Sequence, residues 1–233
     1  MLAFEFMNLS RNQTLKIVVA CKKLIKEHGV FKFTFSQLSQ ESGISTGVLH
    51  RNIKSKDDLM ILNFITVVDS HIKLVEDLIE SDLNHQEQFI CHISYPAFFG
   101  SLYESHGGVN FLGANPGLIK NAQPEFIELL AGAFSELSLV NNRVFNEIFP
   151  VNSSDRNLTH KALRHAFFIS RGAAVASCNR FISKNTTSID LVMEIVHDVI
   201  KPLEWPQGHT EVSYKKIKNY MRNISDLGLT VVI

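Results

Sequence analysis

From Leu59 to Val75 the apolar residues Leu59, Leu62, Ile65, Val68, Ile72 and Val75 recur at spacings of three and four. That rhythm keeps them on one side of a helix for about five turns and excludes a strand, whose apolar residues would alternate. Nearly every other segment keeps a helical period. Asn12–His28 carries Ile17, Val18, Cys21, Leu24 and Ile25, with Gly29 as its stop. Glu125–Phe149, Leu158–Ile182 and Ile189–Leu203 read as helices, and Gln86–Tyr103 as a helix bent near Pro96. The stretch His106–Pro124 is broken by glycines and prolines into short turns. The tail from Gln207 offers a helix over Tyr214–Ile224 and an extended end over Leu229–Ile233. With no β-alternation of useful length and no internal repeat, the expected fold class is all-α.

Charge is unevenly spread. Lysines plus arginines balance acids at 23 each, yet Arg11, Lys16, Lys22, Lys23, Lys26, Lys32, Arg51, Lys54 and Lys56 face only Glu5, Glu27, Glu41, Asp57 and Asp58 in the first sixty residues. A basic front on an acidic body suggests a polyanionic partner, although a solvated basic face reads the same way. Cys21, Cys91 and Cys178 are unclustered in apolar surroundings, which favours buried thiols in a reducing compartment over a disulfide framework. The opening MLAFEFMNLS lacks the basic start of a signal peptide, and Gln88–Tyr103 is too short and too polar to cross a bilayer. A cytoplasmic protein with no membrane partner is expected.

The stretch TFSQLSQESGISTGVLHRNIKSKDDL, residues 34–59, is two short amphipathic pieces pivoting on Gly43. Thr34 or Ser36 can cap the first piece, Ser45 the second, and Ser55 the long helix that follows, with Asp58 placed to reach back to that cap. With the helix before them they form a helix-turn-helix, its small core made of Leu38, Ile44 and Leu49 against Val18, Cys21 and Ile25. Thr46, Gly47, Val48, His50, Arg51 and Asn52 then lie around the outside. A convex, short-chained surface without paired carboxylates suits a DNA groove better than a catalytic cleft; an ordinary solvated hairpin remains the alternative.

IVVACKKLIKEHG followed by this stretch resembles the N-terminal signature of the TetR family of bacterial regulators. The likeness covers roughly residues 12–60 and includes Ile17, Ala20, Cys21, Leu24, Ile25, Gly29, Thr34, the turn Gly43-Ile44-Ser45, Gly47, Leu49, Ser55-Lys56 and Leu59. The resemblance implies a DNA-binding domain over 1–60 and a helical effector-binding and dimerisation domain over 61–233. It implies base or sugar contacts from Thr46, Gly47 and Val48, and phosphate contacts from Thr34, Ser36, Ser45, His50, Asn52 and Lys56, with Arg51 on the same face. Three positions depart from the pattern: Phe35 replaces a threonine that often binds phosphate, His50 the usual tyrosine, and Asn52 a common His or Tyr. The function implied is a ligand-responsive regulator, a repressor released from a palindromic operator by a small apolar or amphipathic effector. The rival is a small-molecule enzyme with a structural N-terminal hairpin, against which no acid-base pair, nucleophile with base or cofactor loop appears.

Among ten histidines none is paired at a spacing of four, and His160 and His165 point to different helix faces, so neither metal nor cofactor is expected. Gly108 to Gly113 has the glycine spacing of a phosphate loop but lacks the Lys-Ser/Thr that completes one. An effector cavity is expected where Pro96 and the Gly113–Gly117 breaks spoil close packing, with His92, Tyr95, Phe99, Tyr103, Phe111, Phe134, Phe167 and Arg171 as candidate contacts. Ile189–Leu203 is apolar over about 200°, more than one core-facing stripe needs, and the preceding helix carries small residues. A homodimer through Gly172, Ala173, Ala176, Val192, Val196, Val199 and Leu203 is therefore expected, unless Tyr214–Ile224 covers that face within the chain.

Overall fold

A computed structural model describes residues 9–29, 32–102, 115–148, 156–177, 188–205, 208 and 210–230. Among them are ten helices and no strand: α1 (Arg11–His28), α2 (Phe35–Ser42), α3 (Thr46–Asn52), α4 (Lys56–Ile79), α5 (His85–Leu102), α6 (Pro116–Asn121), α7 (Pro124–Ile148), α8 (Arg156–Ser177), α9 (Ile189–Ile200) and α10 (Tyr214–Thr230). The fold is all-α, as expected. The chain divides into two compact units. One is Met1–Ser70 with Gly108–Leu137 and Gly228–Ile233; the other is His71–Gly107 with Ser138–Leu227. Cys178, the 108–113 glycines and residues 231–233 lie outside the described residues.

In the first unit each helix start is written locally. Ser10 caps α1 and Thr34 caps α2, each in a reciprocal box with the glutamine three residues on, and Ser45 caps α3 by accepting from the Val48 amide. Gly43 closes α2 at φ +68°, a left-handed conformation that costs glycine nothing and a side chain about 1 kcal/mol or more. The three helices bury Ile17, Val18, Cys21, Ile25, Leu38, Ile44 and Leu49 together, the expected small core. Asn63 reaches from α4 into it, donating to Leu59 O at 2.8 Å and to Cys21 Sγ at 3.3 Å.

In the second unit α9 packs on α5 and α8. α5 runs unbroken through Pro96. α10 is held by Lys218 Nζ on Asp190 at 2.6 Å, by Tyr214 Oη with His197 Nδ1 at 2.9 Å, and by its buried Ile217 and Met221. The segment before it is tied to α5, with Thr210 N donating to Gln86 and Ser213 N to Glu87. Where the sequence suggested an extended end from Leu229, the helix continues to Thr230. The spacing Ile217, Met221, Ile224 simply carries on without a proline to stop it.

The dimer-face expectation needs correction. Val192, Val196 and Leu203 are 3%, 0% and 2% exposed, buried within the protomer, so they offer nothing to a second chain. α9 uses Val192, Met193, Val196 and Ile200 as its core stripe, and α10 covers its polar edge at Asp190 and His197. The apolar excess is narrower: Leu191, Ile195 and Val199, which successive steps of 100° place within about 80° of one another. On α8, Ala166, Ser170 and Ala174 face inward while Phe168, Gly172 and Val175 face out, with Ala173 and Ala176 half-buried at the margins.

Candidate nucleic-acid interface and ligand cavity

The outer face of α3 is open. Ser45, Thr46, Gly47, His50 and Arg51 are exposed, Val48 and Asn52 half-buried, and Leu49 seals the underside at 0% exposure. Thr34 and Ser36 are exposed at the start of α2. Two departures from the family pattern explain each other: the Phe35 ring stacks on His50, centroids 4.8 Å apart and planes 27° apart. Phe35 thus positions the imidazole that replaces the usual tyrosine. Asn52 spends its amide on Val48 O at 2.8 Å, within α3. Lys56 lays its ammonium over the Phe33 ring, 4.5 Å from the centroid, which fixes where that charge stands.

Behind this face sits a buried carboxylate. Asp58 is 0% exposed and accepts from Lys54 N and Ser55 N, both at 3.0 Å, while Ser55 Oγ accepts from Asp58 N at 3.1 Å. The expected cap is complete. The sequence does not announce that Gln123, in the turn between α6 and α7, adds its backbone N–H at 2.9 Å and its Nε2 at 2.8 Å to the same carboxylate. Gln123 Nε2 also reaches Asn52 O at 3.3 Å, the end of α3. Asp58 and Gln123 together therefore tie the end of α3, the start of α4 and the α6–α7 turn.

The second unit holds a cavity of about 280 Å³ between α5, α7 and α8. Its apolar walls are Phe89, Ile93, Val144, Phe145, Leu163 and Phe167; its polar groups are His92, Asn141, Asn142, His160 and Arg164. Of the expected ligand residues, His92 and Phe167 line it, and Arg171 lies behind Phe167 with Cζ 4.9 Å from the ring centroid. Tyr95 and Phe99 do not line it; Tyr95 is packed inside, against His71, Phe98 and Phe99. Phe134 belongs to the other unit, tilted on Phe64 at 5.8 Å. Tyr103 and Phe111 lie outside the described residues. Sequence reasoning missed His71, Asn141, His160 and Arg164: His160 and Arg164 lie one turn apart on α8, but nothing local ties them to Asn141 on α7 or His71 on α4.

His71 Nε2 lies 3.1 Å from His92 Nδ1 and 3.3 Å from His92 O. A carbonyl only accepts, so His71 carries its proton on Nε2, His92 Nδ1 accepts, and the network assigns the His92 proton to its own Nε2. Burial pushes His92 down to about 4 and His71 well below its ordinary range, the Arg171 charge acting in the same direction on both. The unfolded chain then binds these protons first, so stability is full above pH 6.5 and falls as pH drops toward 4, by about 1.4 kcal/mol per unit for His92. Asp69 works oppositely: burial raises it to about 6, so the folded state takes that proton first as pH falls. In an Asp69→Asn background, melting between pH 6.5 and 4.5 should reveal a loss of about 2–3 kcal/mol that His92→Gln reduces. A loss unaffected by His92→Gln would contradict the neutral pair.

No protein-family model matches the chain. The HTH-type transcriptional regulator HbdR of Aromatoleum sp. (strain CIB) is 31% identical over 77 residues, 33% of each chain, so the likeness spans about a third of that relative. Three solved structures overlie much of the chain at TM-scores just under 0.5. A regulatory protein in the tetR family from Rhodococcus RHA1 is 11% identical, covering 85% of this chain and 98% of that one at a TM-score of 0.49. AmtR of Mycobacterium smegmatis is 13% identical, covering 91% and 92% at 0.49. The transcriptional regulator FadR of Bacillus subtilis, solved with stearoyl-CoA, is 14% identical, covering 80% and 95% at 0.47.

Proposed function

We propose that this chain, a TetR-like helix-turn-helix protein, is a transcriptional regulator that binds a palindromic operator as a homodimer and, acting as a repressor, leaves it when a small effector enters the body. The observation that carries this reading is the outer face of α3, with Ser45, Thr46, Gly47, His50 and Arg51 exposed and no carboxylate on it, over a sealed core. Side chains near the start of such a helix reach base edges in the major groove. Thr46, Gly47 and Val48 are the base or sugar contacts in this reading. Thr34, Ser36, Ser45, His50, Arg51, Asn52 and Lys56 hold the backbone on either side.

Release is a population shift. The effector binds one arrangement of the body better, and operator affinity falls by that difference, commonly ~1–3 kcal/mol for a coupled pair of sites. Random-sequence DNA selection with the purified chain tests the reading directly; recovery of no enriched sequence would sink it. Lys56→Ala should weaken binding to all sequences alike and lower the slope of log affinity against log salt by about one unit. Thr46→Ala or Val48→Ala should instead change the bases preferred. An unchanged salt slope in Lys56→Ala would remove Lys56 from the interface.

A further inference from the structure

We propose that the cavity between α5, α7 and α8 takes an organic anion, a small acid whose apolar body fills the aromatic walls and whose carboxylate meets the donors of His92 and Arg164, with the Arg171 charge standing behind the Phe167 wall. This deepens the regulator reading by naming the chemical class of its effector, and it rests on that reading only for the consequence, not for the binding. Three observations carry it. No aspartate or glutamate is among the described residues that line the cavity, whereas Arg164 and His160 are. The Arg171 guanidinium stands on the face of Phe167, a wall residue, and among the described residues it meets no carboxylate. A guanidinium keeps its charge, and a largely buried charge is costly, so an anion arriving nearby gains a partner that the described residues do not supply. Third, His92 lines the cavity as a neutral ring whose Nδ1 is already occupied by His71, so its free edge is a donor N–H.

Asn141 adds a buried side-chain oxygen with no hydrogen-bond partner in a wall of the same cavity. Its amide awaits a ligand group, and turned over it presents N–H donors instead. Size narrows the class further. A volume of about 280 Å³ lies at the lower edge of the ~300–1,000 Å³ usual for small-molecule pockets, which favours one- or two-ring aromatic acids and short-chain acids over long lipids.

The test uses the full chain and matched pairs of benzoate, phenylacetate, 2-naphthoate and octanoate with their primary amides, measured by titration calorimetry. Trp205, the single tryptophan, lies edge-on to the wall residue Phe89 at 6.1 Å and gives a second optical reading. At least one acid should bind tenfold or more tightly than its amide. Arg171→Met should bring that pair to within about twofold, while Arg171→Lys, which keeps the charge, should retain most of the preference. Amides binding as tightly as acids, no acid binding at all, or a preference unchanged in Arg171→Met would each overturn the assignment. DNA selection on the same preparation separates the two readings. A chain that prefers acids but enriches no DNA sequence keeps the anion site and loses the regulator; one that enriches a sequence but ignores charge does the reverse.

Discussion

Asp58→Ala will lower the melting temperature by about 6–12 °C. The carboxylate caps α4, and losing a cap costs about 1 kcal/mol. It also leaves the Gln123 N–H and Nε2, and the Lys54 and Ser55 amides, without their buried acceptor, which adds about 1–3 kcal/mol. A loss near 3 kcal/mol moves the melting point of a chain this long by about 2–4 °C for each kcal/mol. Gln123→Leu separates the two roles, because the Ser55–Asp58 box and the backbone N–H bond of residue 123 survive while the Nε2 bonds to Asp58 and to Asn52 O are lost. Its melting point should fall by only about 2–5 °C. Because Asn52 ends α3, its operator affinity should fall more than that stability loss alone explains. A Gln123→Leu protein with unaltered DNA affinity would show that the tie does not set the recognition surface.

What could be read from the sequence was what lies close along the chain. Thr34, Ser45 and Ser55 announce their helices because a cap and its partner are three residues apart, and Gly43 announces its turn because only glycine enters that conformation freely. Asp58 was legible as a cap for the same reason. Gln123, 65 positions away, was not, since nothing local marks a glutamine that will find a distant carboxylate. The cavity shows the same limit. His92, Phe167 and Arg171 stood out as polar or aromatic interruptions, but His71 joins His92 across 21 positions, and Arg164 faces the cavity only because α8 presents that side. Phe134 and Tyr95 looked equivalent to Phe167 as aromatics. Packing alone assigns one to the other unit and one to the interior. The apolar width of α9 was legible too, but width says how much must be covered and not which residues the chain covers itself.

That remainder leads to the dimer. Within the protomer α9 keeps Leu191, Ile195 and Val199 outside its core stripe, with Ile195 38% exposed, and α8 exposes Phe168 at 66% and Val175 at 57%, flanking Gly172. Phe168, Gly172 and Val175 lie within about 60° of one another on the helix, so they form one stripe rather than scattered apolar residues. The glycine between the two large side chains lets a second helix approach closely, and a two-fold axis would bring the same stripe of a partner onto it. In the proposed reading such a dimer carries two copies of α3, the number that a palindrome with half-sites roughly 34–36 Å apart, or a multiple, requires. Val175→Glu combined with Ile195→Glu should therefore give a folded monomer at micromolar concentration in sedimentation, because both positions are solvent-facing in the protomer and neither substitution buries a charge in it. Val196→Glu, at a fully buried position, should unfold the chain instead. The monomer keeps an intact helix-turn-helix but loses the second half-site, whose effective concentration a dimer sets in the millimolar range, so operator affinity should fall by at least about a hundredfold. Binding to isolated half-sites should stay within about twofold. A double variant that still sediments as a dimer would place the interface on another surface, and one that is monomeric yet binds the full operator undiminished would remove the dimer from operator recognition.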